Sequence, residues 1–525
     1  MIKTAVKFSL WSMVLWAIAG QAIMAENLPD LVLSTTNIAT SDITISKAIP
    51  KEGQEVTIRG NIHNQGKEEA TQVVVRFFDG NPKAGGRQIG ADQIIDRISP
   101  AQAKETEIKC ALSPNGFHDI FVVVDPDNKI PELSENNNQA SLEVPVVVKD
   151  LYFYGWGLSS EKDLRYANKV RAAVKKEDIE YWLHRGCIPC AWKGARVDLK
   201  KPEEEEIARL VKYWGEDAVK EGYPGISIDE IGCYPGTLPT DYAPEQKAII
   251  ALKALRETKK KYPDLFIAVA NAGNLNAVEC AGYREAADLV KLEIYSNWFR
   301  GFKTHQFYRY IDERIEMARN LDVLLKTIVI LSVCGYHGGI TLDEVEEQVR
   351  YVKRTGPEMP GIAFYASGRT TNWGMKMGIP KFVDYMCYKY YVLPVLTLVS
   401  ESDITFSNYH PKNGEKVTIY AVIHNTGGMD AHDVLLNFYE GDPATSRRKK
   451  IGERKISLLP AGQKVVEEDW GDKEKFKSLY PPGQEKVEVI WNAKAGYHDI
   501  WVEIISRGRG TILDGQATKK IYVSE

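Results

Sequence analysis

The sequence predicts a multidomain chain in which a central (β/α)8-type barrel is flanked by two β-sandwich modules. Three observations lead to this prediction. One sequence pattern occurs at both ends of the chain, both ends show the two-residue alternation of half-buried strands, and the middle alternates short apolar runs with amphipathic helices. At 525 residues the chain is also too long for a single hydrophobic core.

The two terminal modules are copies of one another. Residues 53–64 recur as residues 414–425 at an offset of 361 positions. Residues 116–122 recur as residues 496–502 at an offset of 380, so the second copy carries 19 extra residues between these segments. A module repeated at both ends is typical of accessory domains. We therefore expect any chemistry to lie in the central region.

The first 25 residues have the pattern of a secretory signal peptide. Lys3 and Lys7 precede an apolar stretch from Phe8 to Ala19, and Ala25 offers a small residue before a cleavage site at Glu26. An uncleaved membrane anchor is the alternative, although the apolar run is short for a full span. We predict export to a secreted, periplasmic or cell-surface location, with no integral membrane segment once the signal is removed.

The charge and the cysteine content limit the classes of partner and cofactor that we expect. A formal charge of −4 on 26% charged residues has no basic excess, so no nucleic-acid partner is expected. In an oxidising compartment Cys187-Ile188-Pro189-Cys190 predicts a small disulfide loop, with a metal site or a redox pair as the alternatives. No second ligand pair has the spacing of a zinc site. We therefore predict no metal and no cofactor.

The strand pattern of the terminal regions predicts antiparallel sandwiches over residues 28–148 and 394–525. In Glu55–Ile62 and Gln72–Phe77 apolar and polar residues alternate, and clusters of Gly, Pro and Asn separate such runs every 8–15 residues. This alternation is typical of strands with one buried and one solvated face.

A family resemblance accompanies this pattern in the first module. Leu31-Val32-Leu33 opens it, Asn64-Gln65-Gly66 follows a strand, and Asp125-Pro126-Asp127-Asn128 precedes Glu132 and Glu135-Asn136-Asn137. These motifs resemble the bacterial cell-adhesion-related domain, CARDB. The resemblance implies an immunoglobulin-like fold in an exported protein and does not imply a particular ligand. Cell-surface components are the expected partners of the sandwiches. The acidic and amide side chains of 125–137 are interpreted as turn caps, with calcium binding as the alternative.

The region 150–391 predicts a parallel sheet. Seven strand-like runs alternate with helical segments: Leu151–Gly157, Ile179–His184, Gly225–Glu230, Leu265–Asn271, Leu289–Tyr295, Leu325–Val333 and Gly361–Ser367. About 240 residues of such alternation suit a barrel of eight strands. We place the missing strand near Ala195–Leu199. A doubly wound open sheet is the alternative, but no Gly-rich loop follows the first run.

Strand parity predicts which side chains enter the barrel. In Val290–Tyr295 one face is apolar and the other carries Lys291, Glu293 and Tyr295. In Ile226–Glu230, Asp229 faces inward and Glu230 lies at the strand exit. Barrel enzymes place their chemistry at these carboxyl ends.

Two carboxylates among aromatic rings are what glycosidic bond cleavage requires. We predict Glu230 as the general acid/base, Glu293 as the nucleophile or base, and Asp229 as the residue that tunes Glu230. The substrate-binding candidates for a polysaccharide or glycoconjugate are Trp156, His184, Asn271, Tyr295, Trp298, Tyr365 and Trp373.

The central region resembles the glycoside hydrolase superfamily of TIM barrels. Its Asp229-Glu230 doublet is similar to the Asn-Glu doublet that ends strand four in the largest clan, where the Glu is the acid/base. Three alternatives remain open at this point. Glu230 is a turn cap, or Glu293 pairs with Lys291 or an arginine, or the whole chain is a non-catalytic scaffold for adhesion or glycan binding.

Overall fold

The computed structural model describes residues 27–525 with internal gaps. The residues outside the description are 37, 157–161, 163, 167–168, 232–243, 274, 300–302, 334–340, 366–377, 400–401, 447, 463–482 and 507. By internal contacts the chain divides into two compact units. The first extends to Val146 and includes His184–Gly186, and the second comprises Val147–Leu183 and Cys187–Glu525. The barrel and the second sandwich therefore share one unit.

The first module is built from two antiparallel sheets. One contains β1 (Leu31–Val32), β2 (Ile43–Ile45), β3 (Glu55–Asn64) and β6 (Ala103–Ala111). The other has the order β5-β4-β7-β8 and contains β4 (Ala70–Asp79), β5 (Arg87–Ile98), β7 (Gly116–Val124) and β8 (Gln139–Val146). Alternate residues of both sheets form one core in which Ile58, Phe77 and Val122 are completely buried. The predicted sandwich is confirmed for this module.

The eight strands of the central region close into a parallel barrel. They are β9 (Tyr152–Trp156), β10 (Val170–Ala172), β11 (Ile188–Gly194), β12 (Gly225–Asp229), β13 (Phe266–Asn271), β14 (Leu289–Ile294), β15 (Thr327–Ser332) and β16 (Gly361–Tyr365). Each strand pairs with the next in parallel, and β16 pairs with β9. The closed barrel replaces the open sheet that was the alternative. At the closing pair a Cβ on Gly361 would lie 1.8 Å from the carbonyl oxygen of Tyr152, so this position requires glycine.

Among the described residues, helices follow every barrel strand except β9, and two of them lie between β11 and β12. The helices are α1 (Ile179–His184), α2 (Glu203–Val211), α3 (Asp217–Lys220), α4 (Pro244–Lys261), α5 (Ala277–Ala286), α6 (His305–Asn320), α7 (Leu342–Thr355) and α8 (Ile379–Cys387). Several begin at side chains that accept a hydrogen bond from the first turn. Asn276 accepts one from Glu279 N, and Thr341 forms a reciprocal capping box with Glu344.

Two strand predictions in the barrel are wrong. Ile179–His184 is helix α1, because burying Ile179 and Trp182 three residues apart places both on one helical face. The missing strand does not lie near Ala195–Leu199, since the second and third strands are β10 and β11. The Asp229-Glu230 doublet therefore ends the fourth strand, and Glu293 lies on the sixth.

The second sandwich repeats the architecture of the first. One sheet contains β17 (Val395–Thr397), β18 (Ile404–Phe406), β19 (Lys416–Asn425), β22 (Gly483–Asn492) and β24 (Thr511–Asp514). The other has the order β21-β20-β23-β25 and contains β20 (Ala431–Glu440), β21 (Lys449–Leu459), β23 (Gly496–Ser506) and β25 (Gln516–Val523). Their inner faces share one core.

The second sandwich packs against the amino-terminal end of the barrel. The last two turns of α7, which lead toward the start of β16, provide three cationic side chains. Arg354 makes two hydrogen bonds to the Asp514 carboxylate at 2.7 and 2.8 Å. The buried Lys353 ammonium donates to the Thr426 carbonyl at 2.6 Å, and Arg350 donates to the Leu513 carbonyl at 2.6 Å. These contacts leave the carboxyl ends of the strands on the opposite side.

Candidate active site

Strand parity separates the barrel interior from the layer behind it. Ile226 and Ile228 of β12, and Val290 and Leu292 of β14, are completely buried on the outer face. The inward positions of the same strands carry the polar groups Ser227, Asp229, Lys291 and Glu293. The parity predicted for these two strands is confirmed.

Lys291 occupies the middle of the interior. Its ammonium donates to Ser227 Oγ at 2.7 Å and lies 4.1 Å from the centre of the Tyr154 ring. Burial lowers the Lys291 pKa to about 8, opposed by the charges of Asp229 and then Glu293. One cation thus lies within reach of carboxylates from two non-adjacent strands.

Glu293 lies one step closer to the carboxyl end of β14 and is 8% exposed. Its burial raises its pKa to about 7, and the negative charges of Asp229 and Glu230 contribute in the same direction. Arg314 of α6 donates to the Glu293 carbonyl at 3.3 Å from behind the strand. Burial and the nearby carboxylates therefore favour the protonated form of the side chain, and the hydrogen bond from Arg314 fixes its backbone.

The Asp229-Glu230 doublet places two more carboxyls at the same end. Burial raises the Asp229 pKa, whereas the Lys291 charge and a hydrogen bond from Trp192 oppose the rise. Burial and the Asp229 charge raise the Glu230 pKa. Glu230 has a φ of 53°, a left-handed conformation that is costly for a non-glycine residue. The following residue, Ile231, holds it there by donating its N–H to the Ala270 carbonyl at 3.0 Å.

Aromatic rings lie beside these carboxyls. Tyr295 and Tyr365 stack with centroids 5.0 Å apart at an interplanar angle of 26°. Burial raises the pKa of Tyr295, and the negative charge of Glu293 is the next largest cause of this rise. Trp192 of β11 is 43% exposed and hydrogen-bonds Asp229. Sequence reasoning missed Trp192 because β11 was not recognised as a strand; its parity with Cys190 would have revealed it.

Two predicted binding residues lie elsewhere. Asn271 is on the outer parity of β13 and is completely buried; its Oδ1 accepts from Arg314 at 2.7 Å and its amide donates to Glu279 at 3.3 Å. It supports the barrel wall instead of facing a substrate. His184 ends helix α1 and groups with the first compact unit. The side chains of Trp156 and Trp298, and the whole of Trp373, lie outside the described residues.

The remaining chemical predictions concern cysteines and metals. Cys190 is a free thiol that donates to the Ile188 carbonyl at 3.6 Å, so the predicted disulfide loop is not formed. In the acidic segment 125–137, Asp125 accepts from the backbone N–H groups of Lys129 and Ile130, which is the turn-cap role. Within the described part of the chain, no group of three or more His, Cys, Asp or Glu residues is arranged to hold a metal ion.

Comparison with known families concerns the first module. Residues 28–142 match the CARDB family model. A CARDB domain from Pyrococcus furiosus, solved with two metal ions, is 21% identical over 23% of this chain and 90% of its own, with a TM-score of 0.19. A solution structure of a Geobacter metallireducens protein is 33% identical over 20% of this chain and 92% of its own, with a TM-score of 0.18.

Longer matches come from carbohydrate-active enzymes. A β-glucuronidase from Bacteroides uniformis is 10% identical over 95% of this chain and 62% of its own, with a TM-score of 0.31. A cycloisomaltooligosaccharide glucanotransferase from Paenibacillus is 9% identical over 92% of this chain and 73% of its own, with a TM-score of 0.33. Curated protein sequences give no significant match.

Proposed function

We propose that the barrel is a glycoside hydrolase that cleaves an extracellular polysaccharide or glycoconjugate. The observation that carries the proposal is the gathering of three carboxyl groups at one end of the barrel. Asp229 and Glu230 end the fourth strand and Glu293 ends the sixth, and the pKa of Glu293 responds to the charges of the other two. Glycosidic cleavage needs one protonated and one ionised carboxyl on either side of the bond.

The roles of the carboxyls follow from their environments. Glu293, whose pKa is raised to about 7, is suited to protonate the leaving oxygen, which reverses the nucleophilic role predicted from the sequence. The doublet then supplies the ionised group that attacks the anomeric carbon or activates water. Tyr295, Tyr365 and Trp192 provide ring faces that pack against the apolar faces of sugars.

The terminal sandwiches favour a location outside the cell. The CARDB match in the first module accords with export and with cell-surface partners. Among the described residues no helix is long and apolar enough to cross a membrane. We propose that the sandwiches hold the barrel near its glycan.

A screen on a panel of polysaccharides tests the activity. Wild type, Glu293→Gln and Asp229→Asn are compared, with Glu279→Gln as the matched control because Glu279 has a pKa of about 7 but lies behind the barrel wall. Hydrolysis by wild type and the control, with a loss of at least about 100-fold in the two site variants, supports the proposal. Equal hydrolysis by all four proteins would exclude a catalytic role for Glu293 and Asp229.

A non-catalytic glycan-binding scaffold is the second candidate. It is favoured by the ring pair Tyr295–Tyr365, because stacked rings can bind sugar whether or not a bond is cleaved. Binding of a polysaccharide by wild type and Glu293→Gln alike, without hydrolysis by either, would establish this function instead.

A further inference from the structure

Lys291 is a buried charged group of the described interior whose role the two-carboxyl mechanism does not require. It is 2% exposed, on the inner parity of the sixth strand, beneath Glu293. Burying an ammonium costs several kcal/mol unless anions and hydrogen bonds compensate. A purely structural interior would be filled more favourably by an apolar side chain, as at Ala268, Ile330 and Ala363 of other barrel strands.

The contacts of Lys291 fix its ammonium in one place. Ser227 Oγ accepts its hydrogen bond from two strands away, at 2.7 Å. The Tyr154 ring, 4.1 Å from Nζ, stabilises the cation through its π face. Ser227 is 1% exposed and Tyr154 is 3% exposed, so neither partner is replaced easily by water. The ammonium is therefore held beside the fourth strand at Ser227. Ser227 lies two residues before Asp229 on the same inward face of that strand.

The electrostatic contacts of the cation are unequal. Burial lowers the Lys291 pKa, and the Asp229 charge opposes this lowering more than the Glu293 charge does. For Asp229, Lys291 is the main influence opposing burial, followed by the Trp192 hydrogen bond. The negative charges of Asp229 and Glu230 raise the Glu293 pKa more than the positive charges of Lys291 and Arg314 lower it. Burial raises the Glu230 pKa, and the Asp229 charge raises it further.

We propose that Lys291 is a positioning residue that keeps Asp229 ionised, which makes Asp229 the anionic partner of a protonated Glu293. The inference rests on the proposed function and assigns the ionised role within the doublet to Asp229, leaving Glu230 at the rim. The negative charge on Asp229 in turn keeps the proton on Glu293. Lys291 therefore sets both protonation states without touching the substrate.

The test measures protonation directly, so that it does not depend on finding the substrate. The full chain is labelled with 13C at the side-chain carboxyls, and Asp229 and Glu293 are assigned by difference from Asp229→Asn and Glu293→Gln. In Lys291→Met the titrations of both carboxyls are expected to move to higher pH, Asp229 by about one unit. Lys291→Arg keeps the charge and should restore the lower value for Asp229.

Several outcomes decide the inference. A folded Lys291→Met with an unchanged Asp229 titration would overturn it, because the lysine would then be structural only. If Lys291→Met does not fold, Lys291→Gln removes the charge but keeps an N–H donor for the Ser227 hydroxyl. A rise in the Asp229 pKa in that variant supports the inference, and no rise overturns it. Where hydrolysis is measurable, both limbs of the pH profile should shift upward in Lys291→Met. Absence of all hydrolysis would refute the proposed function while leaving the titration result intact.

Discussion

Asn64 and Asn425 hold equivalent positions in the two sandwiches and make the same four kinds of hydrogen bond. Each side-chain oxygen accepts the N–H of the second residue along, Gly66 or Gly427, at 3.0 and 3.1 Å. It also accepts an N–H from the preceding segment, Asp30 at 3.2 Å or Val395 at 3.1 Å. Each amide donates to two carbonyls. The motif that first marks the duplication is therefore a structural hub.

Asn425→Ala should destabilise the second sandwich by about 2–4 kcal/mol, because it leaves buried carbonyl and N–H groups without partners. Asn492→Ala, at an exposed position of β22, is the control and should change stability by less than about 0.5 kcal/mol. Urea unfolding of the whole chain measures both. Equal midpoints for the two variants would contradict the hub role.

Gly361→Ala should prevent the barrel from closing. The added Cβ would collide with the Tyr152 carbonyl, which belongs to the strand that completes the barrel. Gly194→Ala is the matched control, because the nearest atom to its Cβ would be 4.0 Å away. We expect a loss of soluble, folded protein for the first variant and near wild-type melting for the second, measured by circular dichroism. A folded Gly361→Ala would show that the pairing can shift.

Stability should depend on pH through Glu279 and Glu293. Burial raises the pKa of each from an ordinary value of 4.5 to about 7, so each contributes fully below pH 4.5 and loses its contribution as the pH rises through 7. The loss is at most about 3 kcal/mol for each group. Glu293→Gln should therefore flatten the fall in melting temperature between pH 4.5 and 8. A fall as steep as in wild type would mean that the buried carboxyl stays ionised.

Arg354→Ala should leave hydrolysis unchanged. Its ion pair with Asp514 is half exposed and lies at the amino-terminal end of the barrel, so its loss should cost no more than about 1 kcal/mol. Melting temperature and hydrolysis rate are measured together on one preparation. A large loss of activity without a loss of stability would imply that the second sandwich acts on the site.

The sequence predicted the barrel, the β-sheet character of both ends and the inward parity of two strands, but it did not predict every strand. Alternating parity placed Glu293 and Asp229 inside the barrel, because the outer face must be apolar to meet the helices. The same rule would have excluded Asn271, which is out of phase with Ala268 and Ala270 on its strand. The strand prediction failed at Ile179–His184, because the pattern of these six residues fits a strand and a short helix equally well. The contact between Lys291 and Ser227 was not predictable, because it joins strands that are not neighbours.

The attachment of the second sandwich to the amino-terminal end of the barrel separates two kinds of evolutionary pressure. Substitutions at Lys353, Arg354 and Asp514 are selected by their effect on the contact between the barrel and the second sandwich. Changes beyond the carboxyl ends of the strands are tested by what the mouth binds. Insertions or exchanges beyond the carboxyl ends of the strands can therefore change the binding properties of that end without loosening the contact with the second sandwich.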